Sequence, residues 1–216
     1  MAVITEGING PVSGRLGNVV FYRVGGQNRA RSLPRVTKRK RKPSPEQAAQ
    51  RARFKLMQEW LRPVRRLVRI GFGSYAPPKT GHNVAMSHNM RHAIIDTDGT
   101  FSVDPAAFRF SVGPLTPPVN ADVYLEGGAL HFTWDKPGIP TSLRDARTLL
   151  LVLNARNGYG DDKIYGASAD ICADSLDLDA LSCRTGDTCH AYMAFINAET
   201  GEASDSVYAG TITVGD

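Results

Sequence analysis

The chain has 216 residues, 42% of them hydrophobic, with 26 Lys and Arg against 21 Asp and Glu, enough for one ordinary domain plus a substantial extra element. No run approaches the roughly twenty apolar residues of a membrane helix. The opening Met1-Ala2-Val3-Ile4-Thr5-Glu6-Gly7 lacks the cationic start and apolar block of an export signal, which predicts synthesis in the cytoplasm, with the product free or part of a particle or filament.

Charge is unevenly placed. Residues 1–95 hold 19 Lys and Arg against 3 Asp and Glu, a net +16, and residues 96–216 hold 7 against 18, a net −11. A segment this basic repels itself unless it meets a polyanion or an acidic protein surface, and the second half supplies acidic groups in the same molecule.

In chain order, the first element is Ser13-Gly14-Arg15-Leu16-Gly17-Asn18-Val19-Val20-Phe21-Tyr22-Arg23, then Gly25-Gly26, then Asn28 to Leu33. Two β-capable runs around a Gly-Gly turn predict a hairpin, and a lone hairpin is marginally stable, so it must lean on something. The nearby glycines lack the Gly-Lys-Ser/Thr ending of a phosphate loop and read as turn residues. The run Lys38-Arg39-Lys40-Arg41-Lys42, flanked by Pro34 and Pro43, reads either as a solvated linker or as an arm for a polyanion or a neighbouring subunit.

Ser44-Pro45-Glu46-Gln47 is a helix start. At 100° per residue Phe54, Met57, Leu61, Val64 and Val68 share an apolar face, and Arg51, Lys55, Arg62, Arg66 and Arg69 cluster on another. Pro63 kinks the helix or splits it. Thr80 to Ile95 reads as a second helix carrying His88 and His92 at i, i+4. No Glu follows the first in the zinc-protease pattern, and Cys183, Cys189 and His190 form no paired Cys-x-x-Cys set, so these are read as structural or surface residues and no metal or cofactor is expected. The three cysteines, Cys172, Cys183 and Cys189, are odd in number without secretory context, which predicts reduced thiols.

The second half has the rhythm of an all-β domain, with runs at Asp122–Glu126, Ala129–Trp134, Arg147–Asn154, Lys163–Ala169, Thr188–Asn197 and Ser206–Val214, and a weaker one near Leu176–Leu181. Seven short strands suit a sandwich, with Trp134 in its core, and the last two resemble the closing hairpin of a fibronectin type III module. The predicted class is therefore α+β: a basic N-terminal hairpin arm (1–43), short kinked helices in a basic segment (44–95), a linker (96–120), and an immunoglobulin- or fibronectin-like β-sandwich (121–216).

The whole chain also resembles an uncharacterised family of Bacteroidota proteins that begin with Ser-Gly-Lys-x-Gly-x-Val-Val. The element here is Ser13-Gly14-Arg15-Leu16-Gly17-Asn18-Val19-Val20, with Arg15 in place of Lys. Further matches are Arg31-Ser32-Leu33-Pro34, Gln47-x-x-Gln50-Arg51-Ala52-x-Phe54, Ile70-Gly71-Phe72, Asn83-x-Ala85-x-Ser87-x-Asn89 and Ser204-Asp205-Ser206-Val207-Tyr208-Ala209-Gly210. The resemblance implies no catalytic residue. Similar opening and Gln-Gln-Arg-x-x-Phe patterns in phage-type structural proteins point towards assemblies.

An enzyme needs a nucleophile with its base, paired carboxylates or a metal cluster, and no such grouping is visible by spacing. The expectation is a non-enzymatic assembly subunit whose basic arm docks on the acidic sandwich of the next copy, head to tail, through Lys38–Lys42, Arg51, Lys55, Arg62, Arg66 and Arg69. Asp161, Asp162, Asp174, Asp177 and Asp179 are the acidic groups expected to receive it. The alternative is sequence-nonspecific nucleic-acid binding through the same cations.

Overall fold

A computed structural model describes residues 2–4, 12–24, 26–34, 42–75, 80–136, 145–178 and 182–215. The chain divides into two compact units, Met1–Ser44 and Pro45–Asp216.

The first unit is a four-stranded antiparallel sheet in sequence order, β1 (Ala2–Ile4), β2 (Val12–Leu16), β3 (Val19–Val24) and β4 (Gln27–Ser32). The expected hairpin is its last two strands. The sheet is larger than expected because β2 also pairs with β3 across a two-residue turn, Leu16 opposite Val19, where Gly17 takes φ +59°, a left-handed conformation open to glycine without a steric cost.

The second unit has three layers. Helices α1 (Pro45–Leu61), α2 (Arg65–Gly71) and α3 (Gly81–His92) lie on one side of a four-stranded antiparallel sheet, and a three-stranded antiparallel sheet lies on the other. Strands β5 (Ile94–Thr97) and β6 (Thr100–Val103) form a separate hairpin. The three-stranded sheet has the order β11 (Ala173–Asp177), β8 (Ala129–Thr133), β7 (Asp122–Glu126). The four-stranded sheet has the order β10 (Gly160–Ser168), β9 (Ala146–Asn154), β12 (Thr188–Asn197), β13 (Val207–Thr213).

Strand alternation explains the layering. On β9, Leu150 and Val152 join Phe132, Trp134 and Phe195 between the two sheets, while Leu149, Leu151 and Leu153 join Met57, Leu61, Leu67 and Phe72 beneath the helices. A strand covered on both faces reads as an unbroken apolar run, which is why Leu149-Leu150-Leu151-Val152-Leu153 shows no polar alternation. Strand β12 divides the same way, Ala191, Met193 and Phe195 towards one core and Tyr192, Ala194 and Ile196 towards the other. The helical segment thus shares a core with the sandwich strands.

Two local features differ from the sequence reading, and the split expected at Pro63 bears on the helical stripe. The helix predicted over Thr80–Ile95 ends at His92, and Ile94 and Ile95 enter β5. The stretch 96–120, read as a linker, carries β6 and buries Phe108 and Phe110 completely. The chain breaks at Pro63 into two helices, so a 100° progression does not carry from α1 into α2. Arg53 ties α1 to the β5–β6 hairpin, with its Nη2 2.6 Å from Asp96 Oδ2 and its guanidinium 4.6 Å from the centre of the Phe101 ring.

Candidate functional site: interaction surfaces

The expected basic residues are on the surface but not in one stripe. Lys38, Arg39, Lys40 and Arg41 lie outside the described residues, and Lys42 is exposed. Arg51 and Lys55 sit on α1, Arg62 in the break, and Arg66 and Arg69 on α2, all exposed. Lys55 reaches Glu59 at 3.8 Å, an exposed pair that contributes little. The expected apolar face holds for Met57, Leu61, Val64 and Val68, which are buried, but Phe54 is 47% exposed. It opens into a groove of about 900 Å³ between α1 and α3, with Gln50 and Gln58 beside it and Asn83, Met86, Ser87 and Met90 opposite. Arg65 was not singled out from the sequence, yet it lines both this groove and the α2 cluster with Arg66 and Arg69.

The first unit presents two unlike faces. Directly opposed residues of an antiparallel pair share a face, so Leu16, Val19, Phe21 and Ala30 lie on one side of the sheet with Arg23, Asn28 and Ser32, and Arg15, Arg29 and Arg31 on the other with Val20, Tyr22 and Val24. The Arg31 guanidinium sits 5.7 Å from the Tyr22 ring centre. No residue of this unit whose side chain is described is buried, and Leu16 is 65% exposed.

The acidic groups of the sandwich divide by register. Asp174 faces inward opposite Phe132. Its carboxylate accepts from Lys163 Nζ at 2.6 Å, from the Thr148 hydroxyl and from the amides of Ala167 and Ser175 at 2.8 Å. These contacts commit it within its own unit. Burial pushes the Asp174 carboxyl up, and these partners together outweigh that and hold it below the usual range. Asp161 and Asp162 are half-buried on β10, where burial raises Asp162 against the charge of Arg66. Asp179 lies outside the described residues.

Asp177 is exposed and does face outward, opposite Ala129, which in turn opposes Glu126. With Asp122 these acids border the outer face of the three-stranded sheet, around a stack of Tyr124 on His131 with ring centres 5.2 Å apart. The i, i+2 spacing of Asp122, Tyr124 and Glu126 carried this face in the sequence.

The motifs behind the family resemblance fall into two groups. One is buried. Asn89 Nδ2 donates to Ala85 O at 3.0 Å and Arg109 O at 2.7 Å, and its Oδ1 accepts from Arg109 N at 2.8 Å. Ser206 Oγ accepts from the Phe110 amide at 3.1 Å, and the Ser111 hydroxyl donates to Ser204 O at 2.5 Å. A Cβ on Gly71 would stand 2.4 Å from Phe110 O. These residues knit helices, the 104–113 segment and the approach to β13 together. The other group, Gln50, Phe54, Asn83 and Ser87, is exposed and lines the α1–α3 groove.

The histidine and cysteine sets make side-chain contacts. The rings of His88 and His92 lie 4.7 Å apart and tilted by 42°, and burial first, then the His92 charge, lowers His88. Cys183 Sγ and Cys189 Sγ are 3.4 Å apart as free thiols. Among the described residues no group of three or more His, Cys, Asp or Glu is placed to hold a metal ion, and no helix is long and apolar enough to cross a membrane.

Fold and surfaces define a mostly β protein of several antiparallel sheets with a helical layer. The chain belongs to the family of unknown function DUF6266, whose profile matches residues 11–210 and so takes in most of both units. A comparison with curated proteins finds no match.

Proposed function

We propose that the chain is a non-enzymatic assembly subunit whose N-terminal unit docks on the C-terminal unit of a neighbouring copy, head to tail, to build a ring, filament or particle. The observation that carries this reading is the first unit itself: a sheet one layer thick, one face of which sets Arg15, Arg29 and Arg31 among Val20, Tyr22 and Val24, with no described side chain buried. A sheet one layer thick is marginally stable by itself, and this unit contains no second layer among its described residues, so covering the face of Val20, Tyr22 and Val24 adds the missing layer. The receiving surface in this reading is the outer face of β11-β8-β7. Asp122, Glu126 and Asp177 meet Arg15, Arg29 and Arg31, and a guanidinium stacks on Tyr124, which is 45% exposed. Two unlike surfaces on one chain make a heterologous contact, which repeats until it closes or extends.

The reading also takes the sandwich to be of the fibronectin type III kind. Its support is that the first, second and fifth strands of the C-terminal half form one sheet and the third, fourth, sixth and seventh the other. It likewise keeps the Bacteroidota likeness carried by Ser13–Val20 as part of the proposal.

Charge exchange tests the contact. Asp122→Lys/Glu126→Lys/Asp177→Lys should abolish association of the full chain, and Arg15→Glu/Arg29→Glu/Arg31→Glu should do the same. Mixing the two variants should restore a hetero-complex. Association unaffected by either charge set would remove the acidic face as the receiver.

A further inference from the structure

The groove between α1 and α3 lies wholly within the second unit and bears on a different partner from the assembly contact. We propose that it is a binding site for an amphipathic, acidic helix of another protein, whose apolar side chains anchor on the floor and whose carboxylates meet the rim.

Three observations carry this. Each wall is a single helical stripe: Gln50, Phe54 and Gln58 at i, i+4, i+8 on α1, and Asn83, Met86 and Met90 at i, i+3, i+7 on α3. Two such stripes with a trough between them seat a third helix by ridge-into-groove packing, and about 900 Å³ accommodates roughly two turns of one. The floor is apolar and adaptable, with Phe54 47% exposed beside Met86 and Met90.

The rim selects charge. Arg62, Arg65 and Arg91 face one carboxylate, Glu59, which already has Lys55 at 3.8 Å. Arg91 is held in place, donating from Nε and Nη2 to Ser87 O and Oγ at 3.0 and 2.9 Å. Arg62 and Arg65 make no ion pair among the described residues. The third observation is an orphan: His82 Nδ1, on the α3 wall, is buried without a hydrogen-bond partner among the described residues. A buried polar nitrogen left unpaired is costly, and a turn of the imidazole towards a carboxylate or a backbone carbonyl of an occupant would complete it. Negative charge on the occupant fits the rim, and hydrophobic anchors at i, i+3 or i+4 fit the floor.

The test uses the full chain against a phage-displayed library of random 16-residue peptides, followed by fluorescence polarisation of the enriched sequences. The expected peptides carry apolar residues at i and i+3 or i+4 together with Asp or Glu. Phe54→Glu, a change at an exposed position, should weaken them at least about tenfold, as loss of a central anchor does. Arg62→Glu/Arg65→Glu should weaken them comparably, with melting temperatures unchanged for both variants. His82→Ala should weaken binding less than either. The proposal is overturned if no peptide enriches above a protein-free control, if enriched peptides are basic or uncharged, or if both variants bind them as well as the parent. It is also overturned if fluorescein-labelled duplex DNA, and not peptide, binds in a manner lost in Phe54→Glu.

Discussion

Asn89 offers the sharpest separation of structural from functional roles among the motif residues. It is fully buried, and its side-chain amide satisfies both the N–H and the C=O of Arg109, twenty positions along the chain. Asn89→Ala would leave those two backbone groups without their partner in a part-buried setting, at about 1–3 kcal/mol each, and leave a small void where the amide stood. The expected loss is therefore about 2–5 kcal/mol. For a unit of this size about 2–4 °C accompanies each kcal/mol, so the melting temperature should fall by about 5–15 °C. Thermal and urea unfolding followed by near-UV circular dichroism measures this directly. Asn89→Asp should not rescue it, since the carboxylate keeps the acceptor but loses the donor and adds a buried charge. A melting temperature within about 2 °C of the parent would refute the argument.

Stability should also fall in acid. Asp174 is held below its ordinary range by Lys163, Thr148 and two amides against the opposing effect of burial, and Asp187 is held far below it by the Arg156 guanidinium, the Asn154 amide and the Arg184 N–H. The folded state therefore binds fewer protons than the unfolded one near these pKa values. Their contribution is complete above about pH 4–5 and drains away as pH falls below it, so the urea midpoint should drop towards pH 2, and Asp174→Asn should flatten that fall. A midpoint independent of pH in this range would contradict the ion pairs. Burial and the adjacent Cys183 thiol push Cys189 up to about 12, so iodoacetamide at about pH 8 should label it last of the three cysteines, as peptide mass spectrometry reads; early labelling of Cys189 would show that the strand end is open. Arg62→Glu/Arg66→Glu/Arg69→Glu should leave self-association intact. Duplex DNA affinity that falls steeply with salt and with this triple charge reversal would instead move the function to the polyanion alternative.

Much of the C-terminal half was legible because its strands are short apolar or alternating runs between turn residues. Thr188–Asn197 and Asp122–Glu126 have the same bounds in sequence and structure. The split at Pro63 was equally visible, since proline removes a helical hydrogen bond. What stayed hidden depends on distant partners. The run Leu149–Leu153 announces a strand covered on both faces, but only the fold shows that α1–α3 supply the second cover. Asp174 and Asp177 look alike in sequence, and a three-residue offset, odd on a period of two, sends one inward to Lys163 and the other out. Phe54 shares the helical face of Met57 and Leu61, yet it lines the groove between α1 and α3 instead of entering the core.

The faces of the N-terminal sheet failed to stand out for a related reason. Leu16, Val19, Phe21 and Ala30 come from three strands, and only the register places them side by side. The resulting sheet has ten Lys and Arg and one Asp or Glu in residues 1–44 around it, a net +9. Charge of that density steers association, while Val20, Tyr22 and Val24 beside the arginines offer the apolar contact that strengthens it.

The most direct test of the assembly reading is the mass of the full chain and of a 45–216 version, measured by multi-angle light scattering over a hundredfold range of concentration at low salt. Residues 45–216 form a compact unit with both sandwich cores intact, so the shorter chain should remain folded and monomeric. The full chain should grow in mass with concentration, and the growth should shrink as salt rises. A full chain that stays at its 23.4 kDa monomer mass throughout would contradict the proposal.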